Sequence, residues 1–368
     1  MKKNLKLILF VFFVTIGSRI LFLIFSDSFF IDLQMNQIFD LFVNSEIILN
    51  LFVATTVLFF LLKNLKIGNE KLKKDYATWF FDTFIILYFI LKFFFPTNYY
   101  IDLIIPIEIL TSCIFVNALS KGGNLWKPIL VLLLFGAIKG SKATFLNIAL
   151  VFCLYQYYYG NIKKYSSLIF SIKGIVIISI ILIGSFYYIA LRSGLIFSSW
   201  NNMLTIPLDI LTYRLNVFDG VVKANQSQVV FDVSTIQYLK NHFSFIPIID
   251  VSQTLGQFVG CEIDLNCIDH AGALGVFGTT MLIGYNKFLL SSLIFLVIIF
   301  FSINFIKKIS SKENLIGYKL FTIIAIINII ISGNLDIIIS FFFLNSLCFI
   351  LLITFKYILC RRAEVQSQ

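Results

Sequence analysis

Charge is what this sequence has least of. Only 13% of its 368 residues are Asp, Glu, Lys or Arg, while 59% are hydrophobic, and the mean hydropathy is +0.93. A soluble chain of this length could not cover its surface with so few polar groups, which excludes the soluble globular classes. The alternation of apolar and polar residues that marks membrane β-strands is also missing. Apolar residues come instead in continuous runs of roughly 20, the length of a membrane-crossing helix. Internal repeats and low-complexity linkers are absent. No small-residue cleavage site follows the first run, which extends to Phe25, so Met1 to Lys6 reads as the inner flank of an uncleaved span rather than as a signal peptide. Histidine is nearly absent too: the chain has two, His242 and His270, and both fall in one stretch.

What is present is therefore an all-α polytopic integral membrane protein of about ten spans. Its net charge of +10 would raise the question of nucleic acid in a soluble domain. Here the lysines sit at the ends of apolar runs, which is the positive-inside pattern, and nucleic acid is excluded. Spans are expected at 7–25, 47–62, 76–95 and 101–119, with a shorter hairpin over 128–159 that turns at Gly136 to Lys142. Further spans follow at 174–191, 288–306, 320–331 and 337–357. Most of the 29 Lys and Arg then lie on one side, with both termini in the cytoplasm. Residues 1–191 form seven spans, 192–287 one large external loop, and 288–368 the last three spans with the tail.

Ionisable groups inside spans are costly and are functional candidates by default. Lys92 and Asp102, at matching depth on either side of the Pro96 turn, read as a structural ion pair. Arg19 either pairs with Glu108 or Asp102 or faces an anionic headgroup. Lys139 and Lys142 flank Gly140-Ser141 on an outer turn, where lysine is disfavoured. At the start of a helix, whose N–H groups attract anions, they make either a phosphate seat or an interfacial anchor. In the large loop, Arg192 and Arg214 offer bidentate forks suited to phosphate oxygens, although Arg214 could equally be held by Asp209 or Asp219. His242, before an apolar run, reads as structural. Asp269-His270 follows Glu262 and Asp264, and a carboxylate beside an imidazole raises its basicity for proton abstraction. The spacing matches no zinc template, and the glycines after it are not a phosphate loop, since neither a preceding strand nor the lysine is present. They suit close backbone packing. Cys261 and Cys267 are either a disulfide, closing a short loop at a gain of roughly 2 kcal/mol, or two thiols. Cys113, Cys153, Cys348 and Cys360 read as apolar filler.

This layout resembles the Wzy-type O-antigen, or oligosaccharide repeat unit, polymerases: many spans, a Gly140-Ser141-Lys142 hairpin similar to a Gly-Ser-Arg element, a late external loop carrying arginines, and an acid-His-Gly segment before the closing spans. Lys142 stands where the family has arginine, and neither Arg192 nor Arg214 has the glycine of the Arg-x10-Gly pattern. The resemblance implies a membrane glycosyltransferase of GT-C-like architecture in the bacterial inner membrane. Its substrates would be undecaprenyl-pyrophosphate-linked oligosaccharides taken from among the membrane lipids, with a chain-length regulator as a possible partner. Arg214 and Arg192 would stabilise the pyrophosphate leaving group, Lys142 and Lys139 would assist, and His270 with Asp269 would orient the acceptor hydroxyl. No metal or other cofactor is expected. A flippase for lipid-linked oligosaccharides and a ligase using the same carrier are the alternative readings.

Overall fold

The computed structural model describes residues 6, 7, 10, 45–65, 78–95, 99–120, 142–159, 224, 231–246, 249, 254–263 and 275–366. Every regular element among them is helical. In chain order these are α1 (Ser45–Asn64), α2 (Thr78–Phe94), α3 (Tyr99–Ile104), α4 (Ile107–Ser120), α5 (Lys142–Tyr159), α6 (Thr235–Asn241) and α7 (Leu255–Phe258). A wider helical turn, Val259–Ile263, prolongs α7, and α8 (Gly275–Ile283), α9 (Tyr285–Ile309), α10 (Lys312–Ser332) and α11 (Leu335–Gln366) complete the set. Among the described residues, three helices are long and apolar enough to cross a membrane: Tyr285–Ile309, Lys312–Ser332 and Leu335–Leu359. The expected spans at 7–25 and 174–191, and the first arm of the 128–159 hairpin, lie outside the described residues.

The helix α10 is the centre of the assembly. Its apolar window is 83% buried, against 39% for α9 and 44% for α11, and it packs on α1, α4, α5, α8, α9 and α11. The outer helices turn large apolar side chains outward, among them Phe52 and Phe60 on α1, Leu293, Phe300 and Phe301 on α9, and Leu351 and Phe355 on α11. Surfaces of that kind are covered in water only at great cost and are at rest against lipid tails. Inside, aromatic rings join the helices. Tyr318 stacks on Phe349 and Phe321 on Phe342, and Phe295 meets Phe342 edge-on at 4.8 Å between centroids.

The closest approach is between α10 and α4. A Cβ on Gly317 would meet the Cα and Sγ of Cys113 at 2.8 Å and its backbone nitrogen at 2.9 Å, so only glycine lets the two backbones lie this near, the small-residue contact typical of helix pairs in lipid. The register is antiparallel: Cys113 Sγ points at Asn314 O (3.6 Å), and Asn117 Nδ2 donates to Asn314 Oδ1 (3.5 Å). At its other end α10 stops at Gly333, whose φ of 74° is left-handed. A side chain there would strike Thr279 Oγ1 and Gly275 O. Gly275, the first residue of α8, thus packs closely on the stop of α10; Gly272 lies outside the described residues.

Two expectations change and one is met. The span at 101–119 is broken: Pro106 separates α3 from α4, because proline has no N–H to continue the ladder and forces the preceding residue out of helical geometry. Lys312 and Lys319, expected in a cytoplasmic loop before a span starting near Leu320, are part of α10, which begins at Lys312. Lys319 is buried there, since helices packed on all sides let polar residues occur where a loop would otherwise be read. The expected pair is formed, with Lys92 Nζ 2.7 Å from Asp102 Oδ2, and the Tyr88 hydroxyl donates to Asp102 Oδ1 at 2.7 Å.

Gly317→Ala is expected to lower stability by about 1–3 kcal/mol, the usual cost of overpacking. Cys113→Ala would not rescue it, because the added methyl also meets the backbone of Cys113. Thermal unfolding of the purified protein in detergent measures both.

Candidate functional site

One carboxylate joins the polar segment to the apolar helices. Asp336 lies in the first turn of α11, directly after the Gly333 stop, and is 0% exposed. Its Oδ1 accepts from the N–H of Ile337 and its Oδ2 from the N–H of Leu255, both at 2.9 Å. Leu255 is the first residue of α7, whose start is closed by a reciprocal cap between Thr254 and Gln257. The first N–H groups of a helix have no partner within it and carry its positive dipole end. Asp336 therefore satisfies two helix starts at once, which is what makes a buried carboxylate tolerable.

Helix α6 reaches the same place from the other side. Ser234 caps it by accepting from Gln237 N, and it ends at His242 with the tight turn His242 N to Leu239 O (3.1 Å). The imidazole, 1% exposed, folds back so that Nδ1 lies 3.0 Å from Tyr238 O. A carbonyl can only accept, so Nδ1 carries the proton and Nε2 is a bare acceptor. Nε2 has no hydrogen-bond partner among the described residues, and neither has the buried Tyr238 hydroxyl. Ser291 lies near that hydroxyl but gives its own proton to Lys287 O. The Tyr238 ring packs edge-on against His242 at 5.1 Å between centroids. Beyond His242, Ser244 meets Ser340 on α11 at 3.0 Å, and Phe243 and Phe245 pack on Phe343. Burial pushes the His242 imidazole below its ordinary value, against an opposing pull from the Tyr238 carbonyl and from Asp336. Burial, and then Asp336, push the Tyr238 hydroxyl up. His242 is thus a neutral base facing inward beside a carboxylate.

Of the residues singled out in the sequence, Lys142 is the first residue of α5, and Cys261, half-buried, lies in the turn Val259–Ile263 with Glu262 exposed beside it. Arg19, Lys139, Arg192, Arg214, Cys267, Asp269 and His270 lie outside the described residues. Among the described residues, no three His, Cys, Asp or Glu side chains gather as a metal would require. The sequence analysis assigns no role to Asp336, nor does it foresee that its charge acts on His242. An ionisable residue opening a long apolar run is itself a signal.

Among the described residues, fold and site define a helical assembly with three helices long and apolar enough to cross a membrane, one of which holds α6 and α7. No family model matches the chain, and no curated protein or solved structure matches it either.

Two measurements check the junction. Asp336→Ala leaves the Leu255 N–H buried without a partner, at a cost of about 1–3 kcal/mol, and hydrogen exchange over 254–263 should rise sharply. Because His242 titrates below the ordinary 6.5, the unfolded chain takes up the proton first as pH falls. The stability contributed by the neutral ring is complete above 6.5 and declines below it. Replacing His242 with Gln should flatten that part of the stability profile, followed by thermal unfolding from neutral to mildly acidic pH.

Proposed function

We propose that this chain is an O-antigen polymerase, a membrane glycosyltransferase that joins undecaprenyl-pyrophosphate-linked oligosaccharide repeat units at the periplasmic face of the bacterial inner membrane. The observation that carries the reading is the Asp336 junction. It holds helices of the long polar segment, α6 and α7, directly on a membrane-crossing helix, as a site working on a lipid-anchored substrate requires. In the full reading the chain has about ten spans in a GT-C-like arrangement, with both termini cytoplasmic.

In the reaction, the bond between the anomeric carbon of the growing chain and its pyrophosphate breaks, and a bond to a hydroxyl of the incoming unit forms. Undecaprenyl pyrophosphate departs with the electron pair. Charge develops on the pyrophosphate oxygens, where fixed cations lower the barrier most; Arg214 and Arg192 take this role, with Lys142 and Lys139 beside them and Arg19 toward the lipid headgroup. His270, oriented by Asp269, takes the proton of the attacking hydroxyl. The arginines carry the charge stabilisation, so the scheme uses no metal. A chain-length regulator would act on the same external segment.

Deletion of the gene, then its restoration, tests this by lipopolysaccharide gel. A polymerase predicts collapse of the ladder to core plus one repeat unit. Loss of all O-antigen, the single unit included, would mark a flippase or a ligase instead, and an unchanged ladder removes the pathway altogether. Arg214→Ala and His270→Ala, each expressed at the normal level, should give the single-unit phenotype; full ladders from both would overturn the site assignment.

A further inference from the structure

At the opposite end of α10 from Asp336, a second buried carboxylate has no such donors. Glu313, in the first turn of α10, is 1% exposed, and neither of its oxygens has a hydrogen-bond partner among the described residues. The register of α4 against α10 shows what it faces. Cys113 lies against Gly317; one turn further along each antiparallel helix, four residues on in α4 and four back in α10, Asn117 comes opposite Glu313. With Asn117 Nδ2 directed at Asn314 Oδ1 at 3.5 Å, the other amide atom, Oδ1, is the one left over. That oxygen is also buried without a partner. The last turn of α5, which packs on both α4 and α10, adds a third orphan acceptor, Gln156 Oε1.

Among the described residues, every unpartnered buried side-chain atom on these three helices is thus an oxygen, and two of them belong to a carboxylate. Buried acceptor oxygens left without donors, a carboxylate's among them, are costly. Lys319 is not placed to balance it, standing about 240° around α10 from Glu313 at 100° per residue. The site also adjoins both the last turn of α4, where free helix carbonyls give a negative dipole end, and the first turn of α10, whose N–H groups give a positive one. A hard cation with oxygen ligands fits such a place, and a single carboxylate with neutral amide oxygens matches a single positive charge.

We propose that Glu313 and Asn117 form a binding site for a monovalent alkali cation between α4 and α10, with Gln156 as a further oxygen. The site ties the start of α10 to α4 by way of the ion. It does not depend on the glycosyltransferase reading, and its test uses no enzymatic activity.

The test is thermal unfolding of the purified, detergent-solubilised full chain in NaCl, KCl or choline chloride at equal ionic strength. The proposal expects a saturable rise in melting temperature with Na+ or K+ that choline does not give, the two ions being told apart by which saturates first. Glu313→Gln, which keeps the shape and supplies an amide donor to Asn117, should lose the ion-dependent rise while remaining folded in choline. Equal melting temperatures of the wild-type protein in all three salts would overturn the site without recourse to any variant. So would an ion-dependent rise that survives in Glu313→Gln.

Discussion

Close contact between α4 and α10, made possible where Gly317 has no side chain to hold the backbones apart, is the constraint on which the rest of the helical core depends. In hydrocarbon the hydrophobic effect does not draw helices together; dispersion between closely fitted surfaces and hydrogen bonds between helices must do so. Once α10 lies against α4 it also touches α1, α5, α8, α9 and α11, and it is covered almost all round. Its polar groups then have to be met from within. Tyr318 shares a hydrogen bond with Ser346 at 2.8 Å, and the Thr322 hydroxyl turns back to Tyr318 O at 2.9 Å. Such a helix is a hub by necessity, since whatever packs on it must supply both shape and partners.

The two ends of this hub handle buried negative charge in opposite ways. Just past the C-terminal stop of α10, Asp336 is saturated by backbone N–H groups from two helix starts, so its charge is spread over dipoles that the fold fixes anyway. At the N-terminal end, Glu313 has acceptors for neighbours. The first arrangement is complete from the chain's own atoms, and the second calls for a positive charge from outside the described side chains. His242 lies near the first end: its proton is held by Tyr238 O, while its bare Nε2 has no partner among the described residues and stays neutral because burial opposes charging.

The helical class and several span positions were readable from composition and run length, because lipid demands long apolar segments and leaves that demand written locally in the chain. The Lys92–Asp102 pair was readable for the same reason: one short turn separates the two residues, and depth can be counted along it. What escaped depends on distance in space. Nothing near Asn314 or Gly317 in sequence says that α4 will cover them, nor that Lys319 will be buried, so this stretch read as a loop. Pro106 was hidden inside an otherwise apolar run. Asp336 and His242 are separated by most of the late chain and meet only through packing of α6 on α11. The arginines and the Asp269-His270 pair, on which the functional reading leans, fall in stretches outside the described residues, so their grouping still rests on the sequence.

Helix α11 carries one more implication. Its apolar part, Leu335–Leu359, spans about 38 Å at 1.5 Å per residue, whereas the hydrocarbon layer of a typical bilayer is about 30 Å thick. A helix longer than the layer is accommodated by tilting, by kinking or by thickening the bilayer around it. The polar helices α6 and α7 are fastened to its first two turns, through Asp336 and Ser340, so any tilt of α11 is passed on to them. Where a change of bilayer thickness is met by tilting of α11, lipid composition becomes a mechanical input to these two helices.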